Sequence, residues 1–358
     1  MWWSAIPALA CGGFFCDNVE PVVQRAERLL FRDDGEEWTT FVEVQFEGPP
    51  SSFGWVVPIP RPLDPDSDIE LAPPGLFDAL ERVTAPRFVG PDGAPEAADL
   101  AYSAGCGCEG FGASVGGVGF DLSTVEVVGE AVVGPYELQV LTAAEGADLT
   151  AWLQQAGYQI PFSAFPIVDG YLEQGWSFLG IKLRAEVGEG PIDTLVLRCG
   201  SDEPQIPLRL TAIASVPSLE IVAYVLGGER YAPSGDWSEV PFAPELPGGG
   251  DPLPLYLGLL REAIGSGRAF RTEFAAPAEA VVPALPPELA AALGSGAYLT
   301  RMRSFVSPAA MTSDPVFAPS AGPDVSNQVV LVPLAEVAWL GLGAGLAWVL
   351  VGGAVRRR

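Results

Sequence analysis

Groups able to carry out catalysis are few in this 358-residue chain, which contains no histidine. The run from Gly112 to Gly116 matches the G-x-S-x-G pattern that places a nucleophilic serine on a sharp turn in many hydrolases. Such a serine needs a base, but histidine is absent and the single lysine, Lys182, lies far along the chain. The run is also rich in glycine, where chance matches are common. We therefore expect no catalytic serine.

The absence of histidine also excludes Cys-His catalysis and most catalytic zinc sites. Two carboxylates can act as the acid and the base of a glycosidase, but among 45 acidic residues the sequence singles out no pair. We expect no catalytic residues and no cofactor.

Three aspartates, Asp64, Asp66 and Asp68, alternate as the first oxygen ligands of a calcium loop do. The sixth position of that loop holds Ile69, where an EF-hand needs glycine, and the twelfth holds Gly75, where it needs glutamate. The segment is thus not an EF-hand, and a solvated acidic turn is the favoured interpretation. A weak calcium site is the alternative, and no metal ligand is assigned.

The five cysteines fall into two pairs and one single residue: Cys11 with Cys16, Cys106 with Cys108, and Cys199. The members of the central pair are too close to bridge each other easily. In an exported chain we expect the N-terminal pair to form disulfides with the central pair, in a connectivity that stays open. A thiolate metal site is the alternative, although the spacings are atypical for zinc. We expect Cys199 to be a free, buried thiol.

The elements that would position these residues follow an α+β pattern of mostly antiparallel strands with several short helices. Runs of β-branched and aromatic residues predict strands, and helical spacing of apolar residues predicts helices. The predicted strands cover residues 19–31, 39–46, 53–59, 125–133, 136–142, 176–186, 194–199, 208–214, 219–226, 270–274 and 298–306. The predicted helices cover residues 76–83, 149–156, 166–174 and 253–264.

Individual residues refine these elements. Pro58 and Pro60 end the third strand or place it at the edge of a sheet. Asp148 is predicted to cap the second helix. Arg301 and Arg303, two positions apart in the last strand, are predicted to lie on one face.

The N-terminus is similar to a shortened export signal. Residues 2–10 are apolar, and residues 8–10 fit the small-x-small cleavage pattern, but no basic residue precedes Arg25. We interpret residues 1–10 as the remnant of a signal, with the mature chain beginning at Cys11. An apolar tail that packs on the core and a lipoprotein acylation site at residues 8–11 are the alternatives.

The C-terminus predicts a membrane anchor. Val337 to Val355 contain no charge and are followed by three arginines, the usual cytoplasmic flank of a spanning helix. We expect an ectodomain over 11–306, with subdomains of about 11–120 and 121–306, and then the C-terminal segments. These are a stalk over 307–334, a transmembrane helix over 335–355 and a cytoplasmic tail over 356–358.

This topology predicts a single-pass protein of the cell membrane, with its bulk extracytoplasmic and its C-terminus cytoplasmic. The membrane is then one partner, through the C-terminal helix. Gly341 and Gly345 are four positions apart, a spacing that allows weak self-association of such helices.

The composition limits the other partners. A formal net charge of −26 excludes nucleic-acid binding, which needs clustered Lys and Arg. Trp55, Trp152, Trp176 and Trp237 lie in or beside predicted elements, where core packing is the default and a sugar-binding platform is the functional alternative.

Several short segments together resemble a known family. They are residues 11–16 (CGGFFC), 53–60 (FGWVVPIP), 76–80 (LFDAL), 84–87 (TAPR), 106–108 (CGC), 157–161 (GYQIP), 206–210 (IPLRL) and 298–301 (YLTR). In this order they resemble the bacterial domain-of-unknown-function family 2330 over roughly residues 11 to 320. The resemblance implies an exported, often membrane-tethered bacterial protein and no established activity.

Two functions follow as expectations. The favoured one is a non-catalytic envelope protein whose ectodomain binds or scaffolds an unknown extracytoplasmic ligand or protein. The alternative is a carboxylate-dependent hydrolase that acts on cell-envelope glycans, which requires two carboxyl groups across a deep cleft.

Overall fold

Strands make up most of the regular structure in the computed structural model of this protein. The structure describes residues 23–47, 54–90, 125–155, 162–184, 193–213, 215–241, 246–247, 251–294 and 296–332. Of these residues, 46% lie in strands and 26% in helices. The α+β class expected from the sequence is therefore wrong, and the described architecture is mostly β.

Seventeen strands are described, and several are only two to four residues long. They are β1 (Val23–Asp33), β2 (Trp38–Glu47), β3 (Gly54–Ile59), β4 (Ile69–Leu71), β5 (Arg87–Val89), β6 (Val125–Val133), β7 (Tyr136–Ala143), β8 (Ser177–Leu183), β9 (Leu195–Ser201), β10 (Ser215–Gly227), β11 (Tyr231–Ser234), β12 (Ser238–Glu239), β13 (Leu246–Pro247), β14 (Ala269–Pro277), β15 (Tyr298–Val306), β16 (Val316–Pro319) and β17 (Gln328–Val332).

The α-helices in the described ranges are short. They are α1 (Leu76–Thr84), α2 (Gly146–Gln155), α3 (Phe165–Leu172), α4 (Leu208–Thr211), α5 (Pro252–Ile264) and α6 (Pro287–Leu293). The two predicted N-terminal strands, helix α1, the hairpin β6–β7, helix α5 and the last long strand are confirmed close to their predicted bounds.

The strands form two principal sheets. Eight strands form the main sheet, in the order β12-β14-β15-β10-β1-β2-β9-β4. Four strands form the small sheet, in the order β3-β8-β7-β6, and all its pairs are antiparallel. The main sheet is mixed, because β1 pairs in parallel with β10 and antiparallel with β2. A pair β11-β16 and a triple β13-β17-β5 complete the described strands.

The two sheets pack face to face. Alternation along β1 places Leu29 and Phe31 on one face of the main sheet. These side chains share an apolar cluster with Leu138 of β7 and Ile181 of β8, from the inner face of the small sheet. The interior between the sheets is therefore a single apolar layer.

Helices cover the two outer faces. Leu30, on the opposite face of β1, shares a second cluster with Phe77 and Leu80 of α1. On the outer face of the small sheet, α2 and α3 cover Leu141 and Phe178. The order of layers is thus helix, small sheet, main sheet, helix.

A buried ion network lies between α1 and the main sheet; it consists of Glu81, Glu220, Glu273, Arg301 and Arg303. Arg301 and Arg303 point to the same face of β15, as predicted, and Arg301 is fully buried. Arg303 Nε donates to both oxygens of Glu273, at 3.0 and 3.1 Å, and Arg303 also pairs with Glu220. Burial alone would raise the pKa of Glu81, but Arg301 and Arg303 outweigh it and lower that pKa to about 2.

Two local predictions are wrong for tertiary reasons. Residues 208–214 were expected to form a strand, but Leu208–Thr211 form helix α4, where Asp314 Oδ1 accepts the backbone N–H of Arg209 at 2.9 Å. Helix α2 begins at Gly146, before Asp148, because the Gly146 N–H donates to Asp169 of α3 at 2.8 Å. Both helix starts are capped by a side chain distant in sequence, which no local pattern shows.

The predicted stalk also needs correction. Within 307–334, strand β16 pairs with β11, and β17 pairs with β5 and β13. Phe317 of β16 is buried and contacts the rings of Phe31 and Phe270. Residues 307–332 therefore belong to the folded body.

The membrane anchor is corrected as well. Across the described ranges, no helix is both long enough and apolar enough to cross a bilayer. The transmembrane helix in the expected fold class is therefore not supported, and the finding conflicts with the expected single-pass localisation. The predicted segment 335–355, with Gly341 and Gly345, lies outside the described residues, as does the predicted signal remnant.

Candidate functional site

The outer face of the small sheet carries an open groove of about 360 Å³, here called the sheet groove. Strand register sets two rows across its floor: Val132–Glu137–Lys182 and Glu130–Gln139–Gly180–Val56. Alternation along the strands sends these side chains outward, while Leu138 and Ile181 point to the core. The groove is within the ~300–1,000 Å³ range of small-molecule sites.

Helix α2 forms one wall of the sheet groove. Its buried residues Leu149 and Leu153 pack on the adjoining part of the small sheet, beside Leu141. Trp152, which directly precedes Leu153 in the helix, is half-buried and lines the groove. The helix therefore places an indole ring beside the polar floor.

The polar groups of the floor come in cross-strand pairs. Gln139 Nε2 donates to Glu130 Oε1 at 2.7 Å, and Glu137 is the register neighbour of Lys182. Opposite charges at such positions stabilise a sheet and fix side-chain positions. The floor thus offers two carboxylates, an amide and an ammonium group within two rows.

Gly180 lies in the middle of the groove floor and has no side chain to fill it. A Cβ atom added at Gly180 would lie 3.6 Å from Gln139 O and 3.7 Å from Leu141 Cδ1, which are ordinary contact distances. The backbone therefore tolerates a side chain here. The absence of one leaves the space that makes the surface concave.

A separate, smaller space lies between the two sheets, here called the Glu27 cavity. It measures about 50 Å³, and its lining includes Glu27, Trp55, Trp176 and Cys199. Glu27 lies on the same face of β1 as Leu29 and is 5% exposed. A carboxyl group therefore lies inside the apolar layer that joins the sheets.

A bulge in β1 makes this arrangement. The register with β2 shifts between Gln24 and Ala26, which brings Gln24 and Glu27 to one face although they are three residues apart. Gln24 Nε2 donates to Glu27 Oε2 at 3.2 Å. Burial raises the pKa of the Glu27 carboxyl to about 7, and the Gln24 hydrogen bond opposes this only in part.

The three aspartates predicted as a weak calcium site lie in the turn before β4. Asp64 Oδ1 accepts the Asp66 N–H at 3.1 Å, and Asp68 Oδ2 accepts the Asp64 N–H at 3.0 Å. Asp68 also pairs with Arg61 at 2.8 Å. Within the described part of the chain, no group of three acidic or thiol side chains is arranged to hold a metal ion. The carboxylates of Asp64 and Asp68 are thus used in closing the turn.

The cysteines divide between described and undescribed residues. Cys199 is free and buried, as predicted. Burial raises the pKa of its thiol to about 12, against the lowering effect of Arg61. The four disulfide candidates, Cys11, Cys16, Cys106 and Cys108, lie outside the described residues, as does Ser114, so their pairing stays a prediction.

Sequence reasoning missed most of the groove residues. It noted Trp152 as a sugar-platform alternative, but considered Lys182 only as a base too distant from the G-x-S-x-G run and did not single out Glu130 or Gln139. One signal was present: Glu137 and Gln139 alternate with buried Leu138 and Val140, so they had to face outward together. Trp55 and Trp237, by contrast, are buried in the core as expected.

The comparisons with known proteins give one match. The sequence model of a family described as "Uncharacterized protein conserved in bacteria (DUF2330)" matches residues 5–318. The resemblance noted in the sequence is thereby confirmed over most of the chain. No curated protein and no solved structure matches it. The family carries no activity over to this protein, so function must be argued from the geometry.

Proposed function

We propose that the chain, which belongs to the bacterial domain-of-unknown-function family 2330, is a non-catalytic binding protein for a neutral glycan held in the sheet groove. The observation that carries this proposal is the combination of a half-buried indole, Trp152, with a floor of paired polar side chains. Each part matches one property of a sugar ring.

The polar floor matches hydroxyl groups. A sugar hydroxyl both donates and accepts hydrogen bonds. Carboxylates such as Glu130 and Glu137 accept only, the ammonium of Lys182 donates only, and the amide of Gln139 does both. Neighbouring hydroxyls of a ring can therefore find complementary partners in adjacent rows of the floor.

The indole matches the other face of a sugar. A pyranose presents a face of C–H groups that gains little from polar contacts and packs well on an aromatic ring. Trp152 stands at the wall and supplies apolar area beside the hydrogen-bonding groups. A ring seated on the floor near Gly180 would contact both surfaces.

The charge of the groove favours a neutral ligand. Two carboxylates line it against one lysine, and the whole chain carries a net charge of −26. An anionic ligand would be repelled by this field. The proposal is therefore restricted to uncharged glycans.

Binding is favoured over the hydrolase alternative by the position of the carboxylates. Glu130 and Glu137 are both solvent-exposed on a sheet surface, whereas a glycosidase pair lies across a cleft that excludes bulk water. Glu27 and Glu203 do line a common space, but its volume of about 50 Å³ is far below that of a sugar site.

The test is binding of the full chain to an array of neutral bacterial glycans, followed by calorimetric titration of the best ligand. Gly180→Leu fills the middle of the floor and is expected to weaken binding at least tenfold without unfolding the protein. Gly258→Leu is the matched control, because Gly258 lies on α5 with no atom within 4 Å of an added Cβ.

Two outcomes would overturn the proposal. One is an array with no neutral glycan bound above background. The other is equal affinity in the wild type and Gly180→Leu. Release of shortened glycan products by the wild type, with loss of release in Glu130→Gln or Glu137→Gln, would instead support the hydrolase.

A further inference from the structure

We infer that the Glu27 cavity is a receptor for a small organic ammonium ion, of the size of methylammonium. This site is distinct from the sheet groove, because it lies between the sheets and not on their outer face. The inference does not depend on the glycan proposal.

The first argument is that the described residues lining the cavity include no basic partner for the carboxyl group. Glu27 is buried within the apolar layer, yet no lysine or arginine is among the described residues that line the cavity. A buried carboxylate is stable when a positive charge is beside it. A cation in the cavity would supply that charge.

The second argument is the aromatic lining. Trp55 and Trp176 both border the cavity, and the remaining lining is largely proline and aliphatic. Indole rings attract organic cations through their π faces, and this attraction grows when both partners are removed from water. A cavity with one carboxyl group and two indoles is thus suited to an ammonium head group.

The third argument is the supply of hydrogen-bond acceptors. Thr40, Ser201 and Gln205 border the cavity and offer oxygen atoms to the N–H groups of an ammonium ion. Gln24, which is 1% exposed and does not itself line the cavity, donates to Glu27 through Nε2 and so fixes the position of the carboxyl group.

The size of the cavity sets the ligand class. A water molecule needs at least ~10–15 Å³ of such space, so about 50 Å³ holds an ion equivalent to a few waters. A bare divalent metal is disfavoured, because the described residues provide no group of three acidic or thiol ligands. The strongly negative chain also concentrates cations near its surface.

Binding should release a proton, which gives the site a recognisable signature. The ammonium ion pairs with the ionised form of Glu27, whose pKa lies at about 7. Below that pH the ion must displace a proton, so affinity falls about tenfold per unit of pH, and above it affinity levels off. Cys199 and Glu203 are the other titratable residues that line the cavity.

The experiment is calorimetric titration of the full chain with methylammonium chloride at pH 6 and pH 8, at ionic strength matched with sodium chloride. We expect saturable binding that is about tenfold tighter at pH 8. Repeating the titration at pH 6 in two buffers of different ionisation enthalpy should show one proton released per ion bound.

Variants locate the site. Glu27→Gln keeps the shape of the side chain and is expected to abolish binding, and Trp176→Leu to weaken it at least fivefold. Gly180→Leu is the control, because Gly180 lines the sheet groove and not the Glu27 cavity, and it should bind methylammonium as the wild type does. No saturable heat at pH 8, affinity that is independent of pH, or unchanged affinity in Glu27→Gln would each overturn the inference.

Discussion

Arg301 Nη2 donates to both carboxylate oxygens of Glu81, at 2.8 and 2.9 Å, and so joins strand β15 to helix α1. Arg301 Nε also lies 3.2 Å from Glu273 Oε2, on the neighbouring strand β14. One fully buried guanidinium thus links a helix to two adjacent strands of the main sheet. The helix cannot leave the sheet without exposing an ion pair.

Removal of this guanidinium should be strongly destabilising. In Arg301→Met the carboxylates of Glu81 and Glu273 would lose a buried partner, and we expect the free energy of unfolding to fall by roughly 3–5 kcal/mol. Denaturant unfolding followed by circular dichroism measures the loss. Arg198→Met is the control: Arg198 pairs with the exposed Glu70, and such a pair contributes about 1 kcal/mol or less. Equal losses in the two variants would contradict the account.

The carboxyl group of Glu27 should make stability depend on pH. Because its pKa in the folded chain is about 7, above the ordinary glutamate value of 4.5, the folded state holds this proton more tightly than the unfolded state. Stability therefore decreases as pH rises from about 4.5 to 7 and levels off above. Glu27→Gln should remove this decrease and raise stability at pH 8 by on the order of 3 kcal/mol.

Thermal unfolding between pH 4.5 and 8.5, in buffers free of ammonium ions, measures this dependence. Glu126→Gln, which removes an exposed carboxylate from β6, shows how much any loss of negative charge contributes. If Glu27→Gln and the wild type lose stability in parallel as pH rises, the buried carboxyl is not the cause.

A methyl group at Gly322 should disturb Arg230. An added Cβ would lie 1.4 Å from Arg230 Nη1, and this arginine is only 6% exposed and pairs with Glu239. The guanidinium would have to move out of a buried site, so Gly322→Ala should lower the free energy of unfolding by about 1–3 kcal/mol. Gly258→Ala, in helix α5 with open space around it, should instead raise stability by up to about 1 kcal/mol. An unchanged free energy of unfolding in Gly322→Ala would show that the Arg230 side chain can adopt another conformation without cost.

Cys199 should resist alkylation in the folded protein. The thiolate is the reactive form, and burial raises the pKa of this thiol to about 12. With iodoacetamide at pH 8, we expect labelling of Cys199 to be at least roughly 100-fold slower in the folded than in the unfolded chain. Peptide mapping by mass spectrometry reads this rate residue by residue. The same maps, with and without reductant, test the disulfides predicted among the other four cysteines.

The pattern of apolar and polar residues predicted those elements that are determined by residues close together in sequence. The β1–β2 hairpin follows from two apolar runs around the turn at Gly35, and helix α1 follows from the spacing of Leu76 and Leu80. The common face of Arg301 and Arg303 follows from the two-residue period of a strand. None of these needed knowledge of the rest of the chain.

The two candidate sites could not be predicted in the same way. The sheet groove exists because β8 pairs with both β3 and β7, which aligns Gly180 with Val56 and Gln139. Glu27 faces the core together with Gln24 only because of the bulge in β1, which the sequence does not mark. Sites of this kind depend on strand register across distant segments, and register is a property of the assembled sheet.

The parallel pairing of β1 with β10 also bears on how the protein folds. Arg28 is the ladder neighbour of Val222, although more than half of the chain lies between them. Closing so long a loop costs entropy before the contact stabilises anything, and folds dominated by such contacts form slowly. During synthesis the β1–β2 hairpin can form early, but the other edge of β1 has no partner until the ribosome has synthesised β10. In this interval the nascent chain is most exposed to aggregation.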